Sequence, residues 1–497
     1  ERLVSSGRLV RGELRPVSLE PPDTGGYGQP TEYCDAEVLR RLRRASLARL
    51  RAEVEPVEPA ALGRFLPHWH GVSARAGRRA VGAEDVLAVV EQLAGVPVPA
   101  SAVESLILPA RLPGYAPALL DELTASGEVT WCGAGALAGG DGWVAFAPSE
   151  IADLVLPPVA EDPPDSPVHR ALLSALAGGG LFFRQVADRA AEVLLGEGEP
   201  LPDEAALVAA LWDLVWAGLV GNDTLAPVRA LLSGGGARHR QRRRPPRGRY
   251  ASLRAGLAGS PVPARPGLPS RSGPPSVGGR WAPVPAREAD PTRRAHARAE
   301  VLLERHGVLT RGALDTERVP GGFGGVYRVL RAMEETGRCR RGYVVEGLGA
   351  AQFAVPGAID RLRAFSRPVG EEPSDRSVVV LAATDPAQPH GAALPWPTVV
   401  GEGGHRPGRR AGALVVLVDG TAALYLERGG RSLLAFTEEE TPLRAAAQGL
   451  AGAVRAGWLD QVTVSRAGGE APWGTRLAGF LEEAGFRATP RGMRLRG

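Results

Sequence analysis

The sequence predicts an α+β protein of several domains, and three observations lead to this fold class. The chain has 497 residues, whereas a single hydrophobic core stops growing beyond about 250–300 residues. Helical patterns, with apolar residues three and four apart, recur along the chain and end at a glycine before a short extended segment. After Phe365 the apolar period changes to two, which is typical of strands. We therefore expect tandem small helix-and-hairpin domains, followed by a strand-rich domain.

The composition of the chain does not by itself indicate whether its positive charge binds nucleic acid. The hydrophobic fraction of 44% and the charged fraction of 23% are ordinary for a globular protein. The net charge of +4 is mild, and the chain contains no lysine. Because lysine never occurs, an arginine at a given position does not indicate that arginine is preferred to lysine there for contacts with phosphates or bases. The distribution of charge, rather than its sum, must indicate whether nucleic acid is a partner.

The three cysteines, Cys34, Cys132 and Cys339, lie far apart and form no metal-ligand spacing. We therefore expect neither a zinc site nor a disulfide framework, and a reducing cytoplasm as the location. No run of eighteen apolar residues occurs, so we expect no membrane span and no membrane partner. No GxxxxGK[ST] phosphate loop is present, so we expect no motor, no cofactor and no metal in this part of the chain.

The last repeat of the helix–glycine–hairpin pattern defines the domain type. A helix is predicted from Pro291, then a short helix, then a third in "GGFGGVYRVLRAMEETG", whose Val326, Leu330 and Met333 share one face. Gly337 ends this helix and a short hairpin follows. Three helices followed by a hairpin are the winged-helix form of the helix-turn-helix, whose third helix can enter a DNA major groove.

The same reasoning divides the chain into segments. We predict the wing hairpin of a winged helix over 1–34, a helical partial winged helix or bridge over 35–80, winged helices over 81–160, 161–233 and 286–365, a flexible linker rich in Pro, Gly and Arg over 234–285, and a small antiparallel β-barrel with packed helices over 366–497. The linker is predicted because its composition shows no periodicity. Asp419-Gly420 and Gly429-Gly430 are predicted hairpin turns in the barrel.

Five arginines are the candidate nucleic-acid contacts. Arg338, Arg340 and Arg341 lie on the predicted hairpin, and Arg328 and Arg331 on the helix before it. On this hypothesis they contact backbone phosphates. The alternative is a solvated face or a contact between domains.

Asp385 is the candidate catalytic residue. It lies with a histidine and a tryptophan in the Pro-rich loop "DPAQPHGAALPWP", the kind of loop that lines a pocket. Two interpretations are open. Asp385 is a general base or stabilises a cationic sugar transition state, or it caps the Asp-Pro turn, and the turn is the preferred interpretation.

Several phrases resemble a known family. "RRAHARAEVLLERHGVLTRGAL", "VPGGFGGVYRVLRAMEETGRCRRGYVVEGLGAAQFAVPGAIDRLR" and "GHRPGRRAGALVVLVDG" resemble the C-terminal region of bacterial large helicase-related (Lhr) proteins. The resemblance implies an N-terminal ATP-dependent DNA translocase and RNA:DNA helicase core, to which ATP and Mg²⁺ belong and which this sequence lacks. It also implies single-stranded DNA or an RNA:DNA hybrid as partner, association with the nucleoid, and assembly into a homo-oligomer such as a tetramer.

That region is in turn similar to the AlkZ-type DNA glycosylases, which are tandem winged helices with a β-barrel. Their catalytic motif is Gln-x-Gln, and in the nearest similar stretch, "AGVPVPAS", Pro97 and Pro99 occupy the glutamine positions. AlkZ-type chemistry is therefore in doubt. The preferred hypothesis is an accessory region that binds nucleic acid and mediates self-assembly. The alternative is a DNA glycosylase for uracil or an alkylated base, in which a carboxylate assists the attacking water.

Overall fold

The computed structural model describes residues 2–12, 32–52, 55–72, 81–233, 273–349, 351–367, 376–401, 405–459 and 461–497. Within these ranges, no helix combines the length and the hydropathy needed to cross a bilayer.

Three winged helices follow one another in the described chain, each with a three-stranded sheet. The first winged helix (81–155) contains the helices Ala83–Gln92, Ala100–Ala102, Leu108–Arg111, Pro117–Ser126 and Ala152–Val155, a π-helix at Val103–Ile107, a 3₁₀ turn at Ser149–Ile151 and the strands Val98–Pro99, Val129–Ala136 and Gly142–Pro148. The second (167–283) contains the helices Pro167–Leu176, Phe183–Glu197, Glu204–Trp216 and Ala226–Leu232, a 3₁₀ turn at Pro275–Val277 and the strands Leu181–Phe182, Val220–Asn222 and Arg280–Pro283. The third (291–363) contains the helices Pro291–His306, Arg311–Thr316, Gly322–Glu335 and Ala358–Arg363 and the strands Val308–Leu309, Arg340–Gly342 and Gln352–Ala354. Each of the three units thus has the helices and the small sheet that the predicted winged helices require.

The sheet of the second winged helix corrects the predicted linker at its C-terminal end. Arg280–Pro283 lies between the two earlier strands, with Leu181 opposite Trp281 and Gly221 opposite Ala282. Trp281 is fully buried and its indole Nε1 donates to the carbonyl of Val277. The end of the predicted linker is therefore the last strand of the preceding domain, while 234–272 lies outside the described residues.

The C-terminal domain is built on an open sheet rather than the predicted barrel, which is not confirmed. In the described residues the strands run in the order Val378–Ala382, Leu414–Val418, Thr421–Leu426, Ser432–Ala435 and Arg466–Ala467, the last one parallel to its neighbour. A separate sheet joins Gln461–Val464, Gly492–Arg496 and Arg487–Thr489. The helices are Glu440–Arg455 and Arg476–Glu483.

Both faces of the five-stranded sheet are covered, which removes the need for closure. On one face, Val416 and Leu424 belong to the cluster that contains Leu450 of the helix Glu440–Arg455. On the other, Val415 and Leu417 pack in a cluster with Ala110 of the first winged helix. The open sheet is therefore a layer between a helix and a neighbouring domain.

The N-terminal segments connect these domains. Helices form at Arg2–Ser5, Ala36–Ala52 and Pro59–Trp69, and the strands Leu9–Gly12 and Glu32–Asp35 pair antiparallel, as a hairpin requires. In the helix Pro59–Trp69, Arg64 donates to the carbonyls of Phe365 and Asp419, at 2.9 and 2.8 Å. The same helix approaches the hairpin turn Asp419-Gly420 closely. A Cβ on Gly63 would lie 1.8 Å from the carbonyl oxygen of Gly420. This helix therefore contacts both the third winged helix and the C-terminal domain.

Candidate functional site

The third helix of the third winged helix presents two free arginines. Val326, Leu330 and Met333 are buried on its inner face, and Arg328 and Arg331 are exposed on the outer face. Neither guanidinium has a hydrogen-bond or ion-pair partner among the described residues, and the same holds for exposed Arg340 on the adjacent strand. Residues three apart share a helix face, so Arg328 and Arg331 present two neighbouring positive charges, with the exposed Glu335 one turn further along the helix.

Arg338 and Arg341 are engaged within the domain instead. Arg338 Nη2 lies 2.7 Å from Glu300 Oε1, on the first helix of the same winged helix. Arg341 Nη1 donates to the Tyr327 hydroxyl at 2.8 Å, and its guanidinium lies 5.6 Å from the centre of that ring. The five predicted arginines therefore separate into three without a partner among the described residues and two that pair within the domain.

The wing is held by another part of the chain. Val57 forms a parallel bridge with Val345, through bonds from Val57 N to Val344 O and from Glu346 N to Val57 O. The buried amide of Gln352 accepts from the backbone N–H of Val345 and donates to its carbonyl. The wing is thus packed against the segment that enters the helix Pro59–Trp69, and the helix rather than the wing offers the open cationic surface.

Asp385 lies in a buried ion pair that joins two domains. Its two carboxylate oxygens accept from Arg111 Nη1 and Nη2 at 2.8 and 2.7 Å, and the residues are 0% and 2% exposed. Asp385 Oδ1 also accepts from the backbone N–H of Ala387, as a turn cap does. His70 Nδ1 lies 3.2 Å from Arg111 Nη2. Burial, followed by repulsion from Arg111, lowers the pKa of His70 well below its usual value and keeps it neutral.

This geometry matches the turn interpretation of Asp385. The carboxylate lines neither of the cavities described below, and the histidine and tryptophan of its loop pack on each other, with ring centres 6.2 Å apart. No local pattern indicates Arg111 as the partner, because the two residues are 274 positions apart. Within the described chain Asp385 holds the C-terminal domain to the first winged helix.

A cavity of about 240 Å³ lies where the three winged helices meet. Its walls include Pro97 of the first, Trp216 of the second, and Arg298 and Glu317 of the third. A second cavity of about 90 Å³ is also lined by Pro97 and Glu317. Pro97 stands at a position that the resemblance assigned to a catalytic glutamine, and its side chain has neither a donor nor an acceptor for a water molecule.

Glu317 is the carboxylate that the cavities share, and sequence reasoning missed it. It pairs with Arg305, and its Oε1 lies 2.7 Å from His306 Nε2. Burial alone would raise the pKa of Glu317, but the charge of Arg305 and the hydrogen bond with His306 outweigh this and lower it, so the group is ionised at neutral pH. Glu317 follows a short helix and has no local motif; only the folded domains bring it to the cavity wall.

Comparisons with known proteins agree with this architecture. Residues 57–149 and 288–374 match two winged-helix domains of the large helicase-related protein. The chain is 48% identical over 508 residues to "Lhr helicase/ probable uracil glycosylase" of Mycolicibacterium smegmatis, covering 100% of this chain and 31% of that protein. It is 37% identical over 475 residues to "Lhr helicase/uracil glycosylase" of Escherichia coli, covering 92% of this chain and 30% of that protein.

A solved structure, the Streptomyces sahachiroi DNA glycosylase AlkZ, aligns with a TM-score of 0.48 at 14% identity, over 83% of this chain and 100% of that one. That similarity is too low to carry an argument about function. The chain spans about a third of the length of the two curated relatives. The chain therefore contains two segments that match winged-helix domains of the large helicase-related protein, and along its length it is similar to part of two Lhr helicases.

Proposed function

We propose that this chain is an accessory region of an ATP-dependent DNA helicase, which binds nucleic acid and has no motor of its own. The observation that carries the proposal is the exposed, unpartnered pair Arg328 and Arg331 on the third helix of a winged helix. Both relatives named above are helicases, and the sequence contains no phosphate loop. The partner we propose is single-stranded DNA or an RNA:DNA hybrid, delivered by the helicase core of the same protein.

The surface is suited to backbone contacts. Arg328 and Arg331 are three residues apart, and Arg340 extends the charge onto the neighbouring strand. Phosphate contacts position a protein on nucleic acid without reading its sequence, which is what a translocating enzyme needs. Because the wing is packed on Val57, we place the contact on the helix.

Replacing Arg328 and Arg331 with Ala is expected to weaken binding of single-stranded DNA and to reduce its salt dependence. Each phosphate contact contributes about 0.7 to the slope of log affinity against log salt for a single strand, so the slope should fall by roughly 1.4. Fluorescence anisotropy at several salt concentrations measures both quantities. The control is Arg170→Ala with Arg184→Ala, which removes the same charge from two arginines paired with Asp165 and Glu204. An equal loss in both double variants would contradict a specific surface.

We also propose self-assembly, which gives the helicase several copies of this surface. Its support comes from exposed apolar side chains in the N-terminal segment. Val38 and Leu42, one turn apart on the helix Ala36–Ala52, are 48% and 59% exposed, and Leu3 and Tyr33 are 49% and 55% exposed. Large apolar side chains grouped on a surface mark interaction sites in soluble proteins. A second copy of the chain is the proposed occupant.

The second candidate function is a DNA glycosylase, and the position of Glu317 favours it. An ionised carboxylate in the wall of a cavity between domains can orient a water molecule or stabilise a cationic sugar. The water oxygen would bond to C1′ while the C1′–N bond breaks, and the base would leave with the bonding electrons and take up the proton. Both curated relatives carry uracil glycosylase in their names. Glu317 is better placed for this role than Asp385, which lies in neither cavity wall.

If this reaction occurs, uracil-containing oligonucleotides should acquire abasic sites that alkali cleaves, and Glu317→Gln should reduce the rate by about two to four orders of magnitude. Glutamine retains hydrogen-bonding capacity toward Arg305 and His306, and the urea midpoint of the variant shows whether it folds. Glu197→Gln, at an exposed position, serves as the control. Full activity in folded Glu317→Gln, or no abasic sites with the unmodified protein, would rule out this mechanism.

A further inference from the structure

Two arginines of the third winged helix are half-buried, and several of their buried nitrogen atoms lack hydrogen-bond partners. Arg294 and Arg298 are one turn apart on the helix Pro291–His306. The Nε and Nη2 atoms of Arg294 and the Nη2 atom of Arg298 are buried without any hydrogen bond. Within the described chain neither residue forms an ion pair. Buried guanidinium groups are normally paired, because an unpaired charge out of water is costly.

Arg287 adds a third positive charge next to Arg294 and Arg298. Arg287 donates to the carbonyls of Pro157 and Pro285, at 2.8 and 2.7 Å, and therefore meets neutral acceptors rather than a carboxylate. Burial, and then repulsion from Arg294 and Arg287, lowers the pKa of Arg298 to about 10. Burial and Arg287 also lower the pKa of Arg294. Arg294 and Arg298 stay charged at neutral pH, and neither they nor Arg287 meets a carboxylate among the described residues.

The cationic cluster, Arg287, Arg294 and Arg298, adjoins the large cavity. Arg298 is part of the cavity wall. The rest of the wall includes the apolar residues Pro157, Trp216 and Val301. Its one carboxylate among the described residues, Glu317, is paired with Arg305. At about 240 Å³ the cavity is smaller than the roughly 300–1,000 Å³ of drug-sized pockets, so it suits a group the size of a single base. A ligand that satisfies this site has an anionic part and a flat apolar part.

A nucleotide unit has both parts. We propose that the cationic cluster binds a backbone phosphate of single-stranded DNA and that the cavity takes the attached base beside Trp216. Stacking of a base on an aromatic side chain tolerates any sequence, as strand tracking requires. This inference rests on the proposed nucleic-acid function and adds a second contact, between the three winged helices and separate from the helix Gly322–Glu335.

The test compares an oligo(dT) with an abasic oligonucleotide of the same length. Arg294→Ala with Arg298→Ala should weaken oligo(dT) binding roughly tenfold or more, since hydrogen bonds to charged groups contribute about 1.5–3 kcal/mol each. Arg298→Lys should recover part of the loss. Arg293→Ala, which removes an exposed neighbour paired with Glu288, should leave binding within about twofold. Unmodified protein should prefer oligo(dT) over the abasic strand, and Trp216→Phe should reduce both that preference and the quenching of tryptophan fluorescence.

A second measurement separates binding from a structural role. Without DNA, Arg294→Ala with Arg298→Ala should keep or raise the melting temperature, because it removes repelling charges that satisfy no partner. A lower melting temperature with unchanged oligo(dT) affinity would overturn the inference and make the arginines structural.

The double variant Arg328→Ala with Arg331→Ala tests the proposed function separately from the cavity site. If that variant weakens binding and the Arg294/Arg298 variant does not, the recognition helix stands and the cavity site fails. If only the Arg294/Arg298 variant weakens binding, the cavity site stands and the recognition helix fails.

Discussion

Replacing Asp385 with Asn is expected to lower the free energy of unfolding by about 3–5 kcal/mol, the usual cost of breaking a buried ion pair from one side. The reason is that Arg111 would keep its charge, 2% exposed, without a carboxylate to oppose it. Since the pair joins the first winged helix to the C-terminal domain, the two should separate earlier in urea. The midpoint of urea unfolding, followed by tryptophan fluorescence, measures the change.

Two further variants serve as controls for the effect of Asp385→Asn on stability. Asp360→Asn removes a carboxylate that is 84% exposed and should change stability by no more than about 0.5 kcal/mol. Arg111→Met together with Asp385→Leu removes both charges and should be more stable than Asp385→Asn alone. An unchanged urea midpoint in Asp385→Asn, combined with loss of uracil release, would instead establish the catalytic interpretation of this residue.

Trp281→Ala is expected to cost about 3–5 kcal/mol in the second winged helix, the typical effect of removing a large buried aromatic side chain. Trp281 is fully buried, and its ring meets that of Trp212 edge-on at 5.8 Å between centres. A residue in a linker would show no such effect. Loss of near-ultraviolet circular dichroism at a lower temperature reports the unfolding.

Trp473 is the matched control, because it is also a tryptophan but is 48% exposed. Trp473→Ala should shift the transition by no more than about 0.5 kcal/mol. Equal stability of Trp281→Ala and the unmodified protein would show that Arg280–Pro283 is dispensable for the sheet.

Local features of the fold could be predicted from sequence because their causes are local. Gly127 and Gly218 follow helices with φ of 82° and 79°, the left-handed conformation that glycine favours. Asp419 and Gly420 have φ of 50° and 85° and connect two antiparallel strands, as a two-residue hairpin turn requires. The spacing of the apolar residues Val326, Leu330 and Met333 likewise predicted the buried face of a helix.

Long-range features were missed because no local pattern encodes them. The pairing of Arg280–Pro283 with Leu181–Phe182 joins segments about a hundred residues apart. The ion pair of Arg111 with Asp385 and the position of Glu317 depend on how domains pack. Of the five arginines, only the fold could separate the exposed Arg328 from Arg341, which is bound to Tyr327. Alternating apolar residues predicted strands correctly but could not distinguish a closed barrel from a sheet covered on both faces.

The strand Arg280–Pro283 has a consequence for how this chain can change in length. The second winged helix pairs Val220–Asn222 with a strand that begins 58 residues after Asn222, so its sheet closes over a very long connection. The entropy of closing a loop grows only logarithmically, by about 0.6 kcal/mol for each doubling of its length. By this relation, a change in the number of residues between Leu232 and Pro275 alters the closure entropy of the sheet only slightly. This connection is a place where related chains can differ in length, and where a tag or a further domain can be inserted, while the three-stranded sheet is preserved.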